Sequence, residues 1–147
     1  MPDSGVSFII VDGHSVMHAW PELKRHQQVS SKRAIAREEL MRRMRTLQDM
    51  SGSRVVVVFD GTQSQTTEER EKQGLQVFYA DSATTADTVI ERLAARYAKR
   101  HSIRVVSADG MVRETVMAFG AGWISPDGLK DLCERAESEM RGWTKNG

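Results

Sequence analysis

The 147-residue chain carries 39% hydrophobic and 28% charged residues and a net charge of +1, the profile of one soluble domain with room for a substantial core. No apolar run approaches the roughly 18–20 residues of a membrane span, and the first residues lack the basic flank of a signal peptide. The lone cysteine, Cys133, excludes an internal disulfide, so a cytoplasmic protein is expected.

The chain opens with Ser7 to Asp12, in which Phe8-Ile9-Ile10-Val11 is apolar without alternation. That pattern predicts a central strand covered on both faces, as in a parallel α/β sheet. Gly13-His14-Ser15 starts a short helical turn towards Trp20, which Pro21 ends. After a polar connection from His26 to Ser31, a helix is predicted from about Ser31 to Met50. Its apolar stripe is Ile35, Leu40, Met41, Met44 and Leu47, with Arg37, Arg42, Arg43 and Arg45 on or beside it. Ser51-Gly52-Ser53 stops this helix. Four consecutive valines mark a second strand, Arg54 to Phe59, closed by Asp60-Gly61. The polar stretch from Thr62 to Gly74 reads as a loop or one exposed helical turn. Leu75 to Tyr79 is a third strand, and Asp81 to Thr85 caps a helix over Ala86 to Arg100. Its apolar positions Ala86, Val89, Ile90, Leu93, Ala94 and Tyr97 keep helical spacing. A fourth strand, Ile103 to Val106, leads through Ser107-Ala108-Asp109-Gly110 into a helix over Met111 to Phe119. A short strand near Gly122 to Ile124 precedes a last helix opened by Ser125-Pro126-Asp127. Leu129, Leu132, Cys133, Ala136, Met140 and Trp143 form its expected buried stripe. This order predicts one α/β domain spanning residues 1–147, a mainly parallel sheet of about five strands sandwiched between helices.

Asp12, Asp60 and Asp109 each stand at or just after the carboxyl end of a predicted strand, and Asp87 lies in the first turn of the helix after the third. Any one of them reads equally well as a helix cap or turn residue. In a parallel sheet, however, all four face the edge where open α/β sheets bind their ligands. Carboxylates that meet there raise one another's pKa unless a cation neutralises them. An all-oxygen set without a Cys/His framework points to Mg²⁺ or Mn²⁺ rather than zinc. Such ions bridge a phosphate and activate water for in-line attack. Glu91, one helical turn past Asp87, is placed to join the acids. Ser15 and Ser107 are placed to hold a metal-bound water or a phosphate oxygen, and His14 to touch substrate.

The charge distribution adds a second signal. Residues 22–54 hold nine Lys/Arg against four Asp/Glu, and residues 92–104 hold five against none, whereas residues 60–91 hold two against seven. An acidic site flanked by basic surfaces suits a polyanion gripped by residues such as Lys24, Arg25, Arg42 and Arg45; solvated helix faces are the plainer reading of the same charges. His14-x-x-x-His18 has helical metal spacing but lacks a protease glutamate and a third ligand. Val57-Val58-Phe59-Asp60-Gly61-Thr62 looks like a haloacid-dehalogenase motif, but Val58 stands where the nucleophilic Asp belongs. No G-x-G-x-x-G, Walker A or G-x-S-x-G occurs, which excludes the dinucleotide, P-loop and serine-hydrolase signatures.

The run Ile9-Ile10-Val11-Asp12-Gly13-His14-Ser15-Val16-Met17-His18-Ala19-Trp20-Pro21-Glu22-Leu23 closely resembles the opening of YacP-like NYN domains, whose pattern is Asp-Gly-Tyr-Asn followed by Trp-Pro. The resemblance continues through Arg54–Asp60, through Thr84-Thr85-Ala86-Asp87 with Glu91, and through Val105-Val106-Ser107-Ala108-Asp109. It implies a three-layer α/β/α PIN-like fold and a metal-dependent endoribonuclease using Mg²⁺ or Mn²⁺. Carried over, Asp12, Asp87 and Asp109 match the family's core acids, and Asp60 matches an acid found there in many relatives. His14 and Ser15 stand where the pattern has Tyr and Asn. Some YacP-like proteins are linked to ribosome-associated mRNA cleavage, so the resemblance implies RNA, above all mRNA, and a ribosome as partners. A non-catalytic RNA-binding or ribosome-docking module is the alternative, and a metal-dependent enzyme acting on DNA or small phosphoesters is a third.

Overall fold

The structure, a computed structural model, describes residues 5–61, 67–70 and 74–146. Strand β1 (Ser7–Asp12) lies at the centre of a six-stranded sheet, with Ile9 and Val11 on one face and Ile10 on the other. Helices α1 (Gly13–Ala19), α2 (Pro21–Gln27) and α3 (Arg33–Ser51) lead to β2 (Arg54–Asp60). Then follow β3 (Thr67–Arg70), β4 (Gln76–Ala80), α4 (Ala86–Tyr97), β5 (Ser102–Val106), α5 (Gly110–Ala118), β6 (Gly122–Ile124) and α6 (Pro126–Asn146). The strand order is β3-β4-β2-β1-β5-β6, parallel throughout except for the antiparallel edge strand β3.

The core falls into two layers because the buried strands alternate their side chains. Val55, Val57 and Phe59 join β1 residues Ile9 and Val11 against α1, α2, α3 and α6. Val56 and Val58 join Ile10 and Val105 against α4 and α5. The three-layer α/β/α arrangement read from the sequence is therefore the observed one. From β1 the chain moves to β2 and β4 on one side, then crosses back through α4 to β5 on the other. The connection reverses between β1 and β5, and a crevice opens at the carboxyl ends of the strands where that happens.

Several local expectations are corrected. The stretch expected as a loop contains β3, which pairs Glu68 with Phe78 and Glu69 with Val77. An edge strand needs backbone partners on one side only, so no apolar alternation announces it. Expected residues 62–66 and 71–73 of that stretch lie outside the described residues. Pro21 does more than end α1: it opens α2 at the position where a missing N–H costs nothing, and that helix runs into the expected polar connection through His26 and Gln27, with a single 3₁₀ turn over Ser30–Lys32 before α3. Ile35 is 52% exposed, because the α3 stripe runs through Ala36, Leu40, Met44 and Leu47 instead. Tyr97 is exposed at the last residue of α4. Trp143 is 73% exposed, since the buried positions of α6 end at Ala136 while the helix runs on to Asn146. Cys133 is buried as expected, and burial pushes its thiol up to about 12.

Arg43 departs furthest from the expectation of an RNA-facing basic surface. It is buried, with Nε and Nη2 donating to the Glu137 carboxylate at 2.8 and 3.2 Å and Nη1 to Glu22 at 3.4 Å. Its guanidinium lies 4.8 Å from the centre of the buried Trp20 ring, whose Nε1 donates to the Pro126 carbonyl at 2.9 Å. Lys130 completes the network on Glu22 at 3.1 Å, so α2, α3 and α6 are tied together by charge. Truncating one partner of a buried ion pair strands the others and removes packing. Arg43→Ala is therefore expected to destabilise the fold by about 3 kcal/mol, read as a lowered urea midpoint with an unchanged m-value.

Candidate active site

The parallel sheet brings the ends of β1, β2 and β5 to one edge; β1 and β2 end in an Asp that starts or steadies a helix, and β5 is followed by one, Asp109, after a short turn. Asp12 caps α1: one carboxylate oxygen accepts from the Ser15 backbone N–H at 3.4 Å and the other from the Ser15 hydroxyl at 2.9 Å. Ser15 Oγ in turn accepts the Ala108 N–H at 3.2 Å, bridging β1 to the turn after β5. Gly13 has to be glycine here, because a Cβ would collide with the Phe59 ring. Asp60 accepts the Ala86 N–H at 2.8 Å through Oδ1, and its Oδ2 lies 3.5 Å from His14 Nε2. Asp109 caps α5, accepting from Met111 and Val112 at 2.8 and 3.3 Å. Thr85 caps α4, which places Asp87 in its first turn.

An open cleft of about 560 Å³ lies at this edge, lined by Asp12, His14, Ser15, His18, Asp60 and Asp87 among others. Partial burial raises the Asp87 carboxyl, and the neighbouring charges of Asp12 and Asp109, a hydrogen bond with Asp12 and the charge of Glu91 raise it further, to about 6. Asp12, Asp109 and Glu91 are thus near enough to act on Asp87. Below about pH 6 a proton on Asp87 relieves part of that repulsion. Among the described residues, no three His, Cys, Asp or Glu side chains are drawn together tightly enough to enclose a cation. Asp12, Asp60 and Asp109 have instead turned to nearby N–H and O–H groups. A donor set of this kind suits a hydrated Mg²⁺ or Mn²⁺, which uses few carboxylates and keeps several waters.

The remaining expected site residues are dispersed. Ser107 is fully buried, its hydroxyl accepting the Asp109 N–H at 3.1 Å, so it shapes the turn rather than the cleft wall. Lys24 and Arg25 are exposed on α2, away from the cleft lining. Arg42 pairs with Glu39 at 2.7 Å and Arg45 with Glu38 at 2.6 Å. Two residues gain importance. His18 joins the cleft wall with its ring 6.3 Å from that of His14, as the i, i+4 spacing allows. Arg37 lies over the Phe59 and Tyr79 rings, a contact between α3 and two strands that no local sequence pattern encodes.

The profile of the YacP-like NYN domain matches residues 9–146. The Bacillus subtilis (strain 168) protein YacP is 33% identical over 90 residues, 60% of this chain and 52% of that protein. The aligned stretch therefore spans about half the length of that relative. The crystal structure of Rae1 (YacP) from Bacillus subtilis superposes with a TM-score of 0.77 at 27% identity, over 95% of this chain and 80% of that one. A tryptophan-to-leucine mutant of the same protein gives 0.79, also at 27% identity, over 95% and 81%.

Proposed function

The chain belongs to the YacP-like NYN domain family, and on that footing we propose that it is a metal-dependent endoribonuclease working at the cleft lined by Asp12 and Asp87, with Asp109 just behind Ala108 of its wall. The observation that carries the reading is the convergence of Asp12, Asp60 and Asp87 on one cleft, where burial and then the charges of Asp12 and Asp109 raise the Asp87 carboxyl. Asp12 and Asp87 would hold Mg²⁺ or Mn²⁺, with Asp109, Asp60 and Glu91 acting directly or through water. When bound, such an ion supplies charge stabilisation at the scissile phosphate and lowers the pKa of water. Ser15 fixes the Asp12 carboxylate and, through Ala108, the turn that carries Asp109. His14 and His18 stand on the rim, where an imidazole can donate to a phosphate oxygen. The substrate we propose is RNA, with mRNA, free or held on a ribosome, as its physiological form.

Cleavage of an internally labelled single-stranded RNA and of its circularised form tests this reading. Both should be cut with Mn²⁺ or Mg²⁺ and neither in EDTA, since an enzyme that needs an end cannot open a circle. Cleavage undiminished by EDTA would overturn the metal assignment. Salt-sensitive binding without product at any metal concentration would support the second reading, a non-catalytic RNA-binding module. That reading draws on the caps formed by Asp60 and Asp109, which give both acids a structural role without catalysis.

A further inference from the structure

The arginines of α3 are not equivalent. β2 is parallel to β1, so α3 must carry the chain from the carboxyl edge of the sheet back to the amino edge. Arg37 lies near its start, at the end where the acids gather, whereas Arg42 and Arg45 lie about 7 and 12 Å farther along the axis at 1.5 Å per residue. Those two are also engaged by Glu39 and Glu38. Arg37 is exposed, and no ion pair among the described residues engages it.

What holds Arg37 is a pair of aromatic rings. Its guanidinium carbon is 4.8 Å from the Tyr79 ring centre and 5.1 Å from that of Phe59, and the two rings stack at 5.9 Å. Phe59 abuts Gly13, the residue after Asp12, and immediately precedes Asp60. The arginine therefore packs, on the α3 side of the sheet, against the ring that abuts Gly13 and precedes Asp60, outside the lining of the cleft itself. The ring contact uses none of the guanidinium's five N–H donors. A planar fork already resting against two rings matches two oxygens of a phosphodiester, and less ordering entropy is lost when it binds. At the same edge of the sheet as carboxylates that repel a polyanion, it also supplies an attraction those acids lack.

We infer that Arg37, clamped on the Phe59–Tyr79 pair, binds a backbone phosphate of the RNA strand close to the scissile bond. This rests on the RNA reading above. The alternative role is a cover over two aromatic rings, and the test has to separate the two.

Binding of the full chain to a fluorescent single-stranded RNA, followed by anisotropy in EDTA across a salt series, does so. Arg37→Met keeps an apolar cover on the rings and removes the charge. It should bind roughly tenfold more weakly at low salt, with a log–log salt slope shallower by about 0.7, the loss of one phosphate contact. Arg37→Lys should restore the slope but only part of the affinity. Arg135→Ala, at an exposed position of α6, should match the parent chain in both. If Arg37→Met binds with the parent's slope and affinity, Arg37 is a cover and the inference falls alone. If the parent chain itself binds no RNA, the RNA reading falls and takes the inference with it. Arg37→Met should also raise KM for cleavage while leaving kcat nearly unchanged.

Discussion

Asp12→Asn is expected to slow RNA cleavage about a thousandfold or more, a loss of some 4 kcal/mol of transition-state stabilisation, while folding and RNA binding persist. Asparagine is the informative replacement because Asp12 has two jobs. As a cap it accepts the Ser15 N–H and hydroxyl, and an amide oxygen still caps α1. As an acid it contributes charge at the reversal between β1 and β5, and that is what the amide removes. Initial rates on a fluorogenic RNA, with thermal melts and anisotropy on the same preparations, separate these jobs. A variant that cuts at the parental rate would remove Asp12 from the reaction.

Asp87→Asn should also abolish cleavage, yet it should stabilise the metal-free protein at neutral pH. Its carboxyl is raised from 3.8 to about 6 in the folded chain by partial burial, Asp12 and Asp109. Between those two values the folded state holds a proton that the unfolded state has released. Stability therefore falls as pH rises through that window, and the deficit persists above it. An asparagine carries no such cost. Because Asp87 is partly exposed and solvent screens the repulsion, the gain at pH 7.5 in EDTA is set at about 1 kcal/mol, or about 3 °C in melting temperature. The difference between parent and variant should shrink towards zero at pH 4. A parent chain as stable at pH 7.5 as the variant would mean that the acids do not strain one another.

These two outcomes bear on what was legible in the sequence. The end of β1 and the acids after it could be read because apolar runs, capping residues and strand-to-helix junctions are local signals. Parallel pairing then carries Asp12, Asp60 and Asp109 to one edge without further information. The six-strand total and α2 were missed for local reasons as well. Thr67–Arg70 is held by backbone bonds to β4 rather than by an apolar face, and Pro21 works as a start as well as a stop. The arginines were another matter. Arg37, Arg42, Arg43 and Arg45 look alike in the sequence, yet one is stacked, two are tied to glutamates and one is buried beneath α6. The fates of Arg37 and Arg43 depend on Phe59, Tyr79 and Glu137, residues distant in the chain, so composition alone suggests one continuous basic surface where the structure has three different environments.

The sealed thiol on α6 has a practical corollary. Only the thiolate attacks maleimides and disulfides, and with its proton retained to about 12 Cys133 will ignore such reagents while the fold is intact. A new cysteine engineered on the surface would then be the sole reactive handle, and dyes or cross-linkers could be mounted near the cleft without first deleting the native sulfur.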